Sequence, residues 1–540
     1  MVTFKGTKVV SGIAIGRLFV YMRPDRQISR AAVEDTDVQL KAFHEARRTA
    51  VQQLEKLYES SVEYLGELSA SIFVAQEMLL EDTQYIEYVE KQIKENKYNA
   101  AYSVMLASDE FSRLFTSIED KYMQSHVADV KDVSERMLRI LCGLESEMAD
   151  PGEPCIFASD DFNAGDIVQF NRESVLGLAT MFGSPVSHAS ILAGTMGIPS
   201  VVGLGPEMLS IYDGHTAILN GIKGELIIDP DKRTLDRMKR RQKDYEEQQR
   251  MLLLLKGKNN VTKSGKYINV YANIGSAEGV ETALLYDAGG IGLFRSEFIY
   301  MESPTYPSEE EQFAIYREVL EKMRGRKVTI RTLDLGTDKQ ASYFRPEKEI
   351  NPALGFRAIR ISLAQPGIFK TQLRALYRAS VYGNLDILFP LIISVDEVLE
   401  IKKLIKEVQD ELDAEGISYS KDVRLGIMIE TPAAVMISDK LAKHVDFFSI
   451  GTNDLTQYTL AIDRQNPKLE TYFTTMHPAV YKMIELTVEN AHKAGITVDI
   501  CGEAAADLSH TKDFIRLGID ALSVAPNMVL PLRKKIRECE

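Results

Sequence analysis

Apolar and polar positions change texture three times along this 540-residue chain. Residues 1–20 alternate polar and apolar with glycines and β-branched residues between, a period-two pattern that predicts short strands. From 31 to 142 Gly and Pro almost vanish, and apolar residues recur at three- and four-residue spacing, as in Leu54, Leu57, Tyr58, Val62, Leu65 and Leu68. That spacing predicts a helical bundle, whose plain reading is a packing module. Between Gly143 and Asp229 Gly and Pro return, with β-rich stretches at Ser174–Ala179, Ser200–Val202 and Ala217–Leu219. The simplest organisation is one α/β domain, residues 1–30 and 143–228, with a helical subdomain at 31–142 inserted into it. Residues 229–256 are densely charged and end in Met251–Leu255, which reads as a helical linker.

The remaining segment, 257–540, carries eight short apolar runs separated by helical stretches. They are Tyr267–Ala272, Gly290–Phe294, Val328–Leu333, Asp386–Pro390, Leu425–Ile429, Phe447–Ile450, Ile496–Ile500 and Ala521–Val524. Strands alternating with helices imply parallel pairing through right-handed crossovers. Eight such units match a (β/α)₈ barrel in number and size; an open doubly wound sheet is the alternative.

A barrel of this kind places its chemistry at the C-terminal ends of its strands. Reactive residues do fall there: Asn273 after strand one, Arg295 and Glu297 after strand two, and Arg331, Asp334 and Lys339 at strand three. Strand five leads into Glu430, strand six into Asn453 and Asp454, and strand seven into Cys501, Gly502 and Glu503. Each could alone be a solvated surface charge; a whole rim of them is a site. Glu430 and Asp454 offer two hard oxygen ligands of the kind Mg²⁺ takes alongside water and substrate oxygens. Arg295, Arg331 and Arg464 can grip phosphate and carboxylate. A small multiply charged anion bound with magnesium is the natural inference. Cys501 has no His–Asn pair placed to activate it for acyl transfer, which leaves proton transfer or a core position.

Composition adds constraints. A net charge of −14 argues against a nucleic-acid surface and favours basic protein partners. It also means that an anionic substrate needs a local cluster of Arg and Lys. The four cysteines (Cys142, Cys155, Cys501 and Cys539) are scattered without metal-ligand spacing, which suits a reducing cytosol. The first twenty residues lack a signal-peptide pattern and no apolar run approaches the ~20 residues that span a bilayer, so a soluble, cytoplasmic protein without membrane insertion is expected.

One histidine has a distinctive setting. Ser187-His188-Ala189-Ser190 opens a predicted short helix closed by Gly197-Ile198-Pro199. His188 then lies at a helix N-terminus, where free N–H groups favour a bound anion.

These residues carry a family resemblance. The chain resembles, along essentially its whole length, the Enzyme I family of phosphoenolpyruvate–protein phosphotransferases. The matching stretches include Gly292–Phe298, Arg331–Lys339, Asn351–Arg357, Glu430–Ala434, Asp446–Tyr458 and Cys501–Glu503. The resemblance implies a swivelling phosphohistidine domain of α/β type, an inserted helical bundle that docks a histidine-containing phosphocarrier protein, and a C-terminal TIM barrel that binds phosphoenolpyruvate. It implies that His188 is phosphorylated through Nε2. Arg295, Arg331, Lys339, Arg357, Asn453, Asp454 and Arg464 would bind substrate, Glu430 and Asp454 would hold Mg²⁺, and Cys501 would protonate enolpyruvate. A homodimer through the barrel is also implied.

Departures from the family pattern cluster around His188. Gly183-Ser184-Pro185-Val186 stands where Gly-Gly-Arg-Thr is usual, Gly194 where a basic residue is usual, Ile167 where a hydroxyl is common, and Gln76 where a histidine is common. Weaker or altered phosphotransfer is expected from them, and a binding or regulatory protein with little turnover, or a dikinase- or synthase-like relative, is the alternative function. The chain also ends at Glu540, so the last barrel helices are expected to be short or missing.

Overall fold

The computed structural model describes residues 1–21, 28–30, 33–117, 121–144, 151–185, 187–207, 212–277, 279–303, 305–335, 349, 351–464 and 466–540. They form two compact units, Met1–Gln249 and Arg250–Glu540.

The first unit is built on an eight-stranded sheet. Its strands are β1 (Val2–Lys5), β2 (Thr7–Val10), β3 (Ile13–Val20), β4 (Cys155–Ser159), β5 (Val175–Thr180), β6 (Ser200–Val202), β7 (Thr216–Asn220) and β8 (Glu225–Ile228), in the order β1-β8-β7-β3-β4-β5-β6-β2. Strand β3 pairs in parallel with β4, Leu18 opposite Ile156 and Phe19 opposite Phe157. The sheet is therefore sewn together from both sides of a long helical excursion.

That excursion comprises α1 (Thr36–Glu81), α2 (Thr83–Asn96), α3 (Ala100–Ser117) and α4 (Lys121–Leu141). Asp35 and Asp82 cap α1 and α2 by accepting backbone N–H bonds. A straight helix of α1's length would run ~70 Å. Yet the Arg47 guanidinium reaches the Leu80 carbonyl at 3.5 Å, so α1 folds back between them. Gly66, midway, is the one glycine in that stretch.

Period two decides what each sheet face meets. Cys155 and Phe157 of β4 point into a core shared with the bundle, among Phe43, Leu54, Phe73 and Met137. Ile156 and Ala158 point the other way, into a second core with Leu18, Leu219 and Ile228. Two short helices cross the first face: α5 (Ala164–Gln169), opened by an Asn163–Asp166 capping box, and α6 (His188–Thr195). The first part of α7 (Lys232–Leu253) covers the end of the sheet, where Met238 joins Ile13, Ile218 and Ile227.

The second unit is a closed, all-parallel barrel. Its strands are β9 (Asn269–Ile274), β10 (Ile291–Arg295), β11 (Lys327–Arg331), β12 (Asn384–Phe389), β13 (Arg424–Ile429), β14 (Phe447–Ile450), β15 (Thr497–Ile500) and β16 (Ala521–Val524), and β16 closes on β9. The open-sheet alternative is thereby excluded. Alternation along the strands sorts their residues. Ile427, Ile429, Phe448 and Ile450 face the surrounding helices, while Met428 and Phe447 fill the barrel with Leu293, Leu388 and Cys501. Gly426 must be glycine, because a Cβ there would lie 2.3 Å from the Phe447 ring.

Beneath this apolar layer, Lys327 Nζ sits 2.9 Å from Asp499 and 3.3 Å from Asp386. Burial works against its charge, but the two carboxylates outweigh burial and hold its pKa above the usual lysine value. The final helix, expected to be short or missing, is present. Val529–Glu538 buries Val529, Leu532 and Ile536 in the barrel core, and its Arg533 donates to Asn260 Oδ1 (2.7 Å) and to the carbonyls of Leu255 and Asp287.

Candidate active site

The same alternation that fills the barrel delivers the site. Arg331 ends β11 two and four residues beyond Thr329 and Lys327, Glu430 follows Met428 by two, and Cys501 follows Asp499 by two. Each is thus the next inward position at a strand's C-terminal end.

Arg331 is buried and ion-paired there, its Nη2 lying 2.6 Å from Glu297 Oε1 and 2.9 Å from Asp334 Oδ2. Burial alone would lower its pKa; Asp334 and Glu297 reverse that and lock the charge on. Asp334 Oδ1 accepts from Arg357 Nη2 at 3.0 Å, Arg357 Nη1 approaches Asp454 at 3.8 Å, and Arg464 donates to Asp454 Oδ2 at 3.1 Å. The network joins residues that follow β10, β11 and β14. Three guanidinium groups held this way lose little entropy when an anion arrives.

Glu430 is buried, with Oε1 accepting the Leu391 N–H at 2.6 Å. Burial first, then the neighbouring charges of Asp454 and Asp334, push its pKa up to about 8. Asp454 Oδ1 has no hydrogen-bond partner among the described residues. Two crowded carboxylates, one with an oxygen that accepts no hydrogen bond, are a fit for a divalent cation. No group of three or more His, Cys, Asp or Glu side chains able to hold a metal occurs among the described residues, so further ligands would be substrate oxygens or water.

An open cavity of ≈ 470 Å³ lies beside the network, lined by Asn273, Arg295, Asn453, Cys501, Gly502 and Glu503. Gly502 allows close approach, since a Cβ there would strike Thr452 Oγ1 at 2.0 Å. Asn453 Oδ1 accepts the Glu503 N–H at 3.1 Å, tying two strand ends together. Ser449 Oγ donates to Cys501 Sγ at 3.2 Å. Burial pushes the Cys501 thiol up to about 11, so near neutrality it holds its proton.

In the other unit His188 occupies the first turn of α6, behind the Ser187 cap whose Oγ accepts the Ser190 N–H. Ser190 Oγ in turn donates to Ser184 O at 2.7 Å, pinning the turn that precedes the helix. The imidazole is 41% exposed, and its Nδ1 lies 3.6 Å from Oδ1 of Asp129, a buried residue of α4.

The structure thus gathers Arg295, Asn453 and Cys501 around one cavity and Arg331, Arg357, Glu430, Asp454 and Arg464 beside it. Lys339 lies outside the described residues. Sequence reasoning missed Asp129 and Ser449. A buried aspartate among apolar helix positions was the available signal for the first; an inward-facing serine two residues before a strand end was the signal for the second.

Comparison with known proteins places this architecture in a class. Residues 250–540 match the model for the PEP-binding domain of PEP-utilising enzymes, 151–224 the mobile domain of the same enzymes, and 5–126 their N-terminal domain. Over 539 residues the chain is 38% identical to a phosphoenolpyruvate-protein phosphotransferase of Bacillus subtilis (strain 168), covering 99% of this chain and 94% of that one. Those of Bacillus sp. (strain S) and Priestia megaterium are each 37% identical, with 99% and 93% covered. The chain belongs to the phosphoenolpyruvate-protein phosphotransferase family. No helix among the described residues is long and apolar enough to cross a membrane.

Proposed function

We propose that this protein takes the phosphoryl group of phosphoenolpyruvate onto His188 and passes it to a histidine-containing phosphocarrier protein, releasing pyruvate. The observation that carries the reading is the arginine–carboxylate network at the barrel mouth beside a protonated buried thiol. Phosphoryl transfer asks for positioning and charge neutralisation more than for covalent help. Arg295, Arg331, Arg357 and Arg464 supply both toward a phosphate and a carboxylate on one small substrate, with Asn453 and Lys339 as further substrate contacts.

The Nε2 lone pair of His188 attacks phosphorus, the bond from phosphorus to the enol oxygen breaks, and the enolate leaves. Cys501, whose thiol keeps its proton near neutrality, protonates the enolate carbon and makes the step hard to reverse. Mg²⁺ held by Glu430 and Asp454 would neutralise charge on the substrate's oxygens. The histidine has to visit the barrel mouth and then a carrier, which we place on the helical subdomain at 31–142, with 1–30 and 143–228 as the mobile domain and 229–256 as the linker. Exposed Leu354, Ile393, Met436 and Tyr472, on segments that follow four successive barrel strands, support a homodimer through the barrel. Residence in the cytoplasm fits the four free thiols.

The test is incubation with Mg²⁺ and phosphorus-labelled phosphoenolpyruvate, followed by mapping of acid-labile label. Label at His188 that disappears in His188→Ala is expected. Undiminished label in that variant would overturn the assignment.

A further inference from the structure

The network around His188 contains one charged group that the mechanism above leaves unused. Asp129 is a buried carboxylate on α4, and the imidazole Nδ1 faces it across 3.6 Å. That distance is too long for a hydrogen bond and short enough for charge pairing, and a small rotation of a half-exposed ring closes it. On α5, which packs beside α6, Ile167 carries no polar atom.

We propose that Asp129 is a positioning residue for the phosphoryl-transfer histidine, holding the proton on Nδ1 so that Nε2 is the nucleophile. The inference rests on the reading of His188 given above. In the neutral imidazole one nitrogen bears the proton and the other the lone pair, and a carboxylate beside Nδ1 selects the tautomer with Nε2 free. When Nε2 takes the phosphoryl group its lone pair becomes the N–P bond, and Nδ1 retains its proton. The ring then carries a positive charge, which Asp129 balances. On transfer to the carrier the N–P electron pair returns to Nε2, the phosphorus bonds to the carrier's nitrogen, and Nδ1–H is unchanged. A ring kept protonated is the better leaving group, so Asp129 serves both half-reactions without touching phosphorus.

The experiment compares wild type with Asp129→Ala, Asp129→Asn and Asp129→Glu, using ¹⁵N NMR of the His188 ring and single-turnover labelling from phosphoenolpyruvate. Thermal unfolding of each variant establishes that it is folded. Wild type is expected to show Nδ1–H, and Asp129→Ala a mixed tautomer with labelling slowed roughly hundredfold and the KM for phosphoenolpyruvate unchanged. The isosteric Asp129→Asn keeps an acceptor and should retain the tautomer while slowing both transfers. Asp129→Glu should recover part of the rate. A folded Asp129→Asn variant with wild-type rates, or an Asp129→Ala ring with an unchanged tautomer, overturns the inference. Label that persists in His188→Ala would instead overturn the histidine assignment, so the two failures are distinguishable.

Discussion

At the barrel mouth Arg331 is buried and paired with two carboxylates, whereas in the other unit His188 leaves two-fifths of its side chain in solvent and faces the Asp129 carboxylate at 3.6 Å. The first arrangement stands at the ends of strands held by parallel pairing on both sides. The second stands on an eight-residue helix after a turn pinned by serine hydroxyls. The difference teaches that the barrel mouth is tied together by the chain's own ion pairs, while the His188 turn is lightly held. A group that must present itself to two partners gains from few ties; a group that must neutralise a multiply charged substrate gains from many.

Removing the central tie should break the comparison most severely. Arg331→Met leaves Glu297 and Asp334 buried beside a neutral side chain. The expected loss is ~3–5 kcal/mol of stability together with most of the labelling of His188, read by chemical denaturation and by label incorporation. Next in size is Cys501→Ala, which should slow pyruvate formation about hundredfold with phosphoenolpyruvate affinity retained, read in a steady-state assay. Because burial raises the thiol to about 11, alkylation at pH 7–8 should mark exposed Cys142 and spare Cys501 in the wild type.

A pH titration sharpens the barrel side. The folded-state pKa of Glu430, about 8, lies above its ordinary value of 4.5, so the folded protein holds a proton that the unfolded chain has released. Stability of the cation-free protein therefore falls as pH rises between those values. Mg²⁺, which requires the ionised carboxylate, should offset that fall, seen as a Tm gain on adding Mg²⁺ that grows from pH 6 to pH 8.

The smallest effect tests the histidine side. At Gly194 a Cβ would meet only Val10 Cγ2, at 3.9 Å, so a side chain fits. Gly194→Lys should stabilise α6 by about 0.5–1 kcal/mol through helix propensity. It should also lengthen the lifetime of phosphorylated His188 several-fold, measured as acid-labile label over time. An unchanged lifetime would mean that a cation at this position does not reach the phosphoryl group.

Much of this was legible in one dimension. The β14 and β16 runs, Phe447–Ile450 and Ala521–Val524, coincide with the observed strands, and the other barrel strands are displaced by a few residues at their ends. Arg331, Glu430 and Cys501 could be placed on the rim because a strand's end is visible in its apolar run. The ion pairs of Arg331 were not legible: the sequence shows an arginine able to meet an anion, not one already engaged by Glu297 and Asp334. The last helix, read from the chain's length as short or missing, is present with ten residues, which are anchored through Arg533 and pack into the barrel core.

The sequence by itself determined where chain texture changes, which residues alternate inward, and therefore which side chains can share a barrel mouth. Those features depend on the 2.0- and 3.6-residue periods of neighbouring side chains, which any reader of the chain can count. Only the tertiary structure decided that β3 pairs with β4 across the helical excursion, that Ser449 donates to Cys501, and that Asp129 of α4 faces His188 of α6. Such pairs are selected by the packing of whole elements in a shared core, and no local period records which residues of two distant segments will meet.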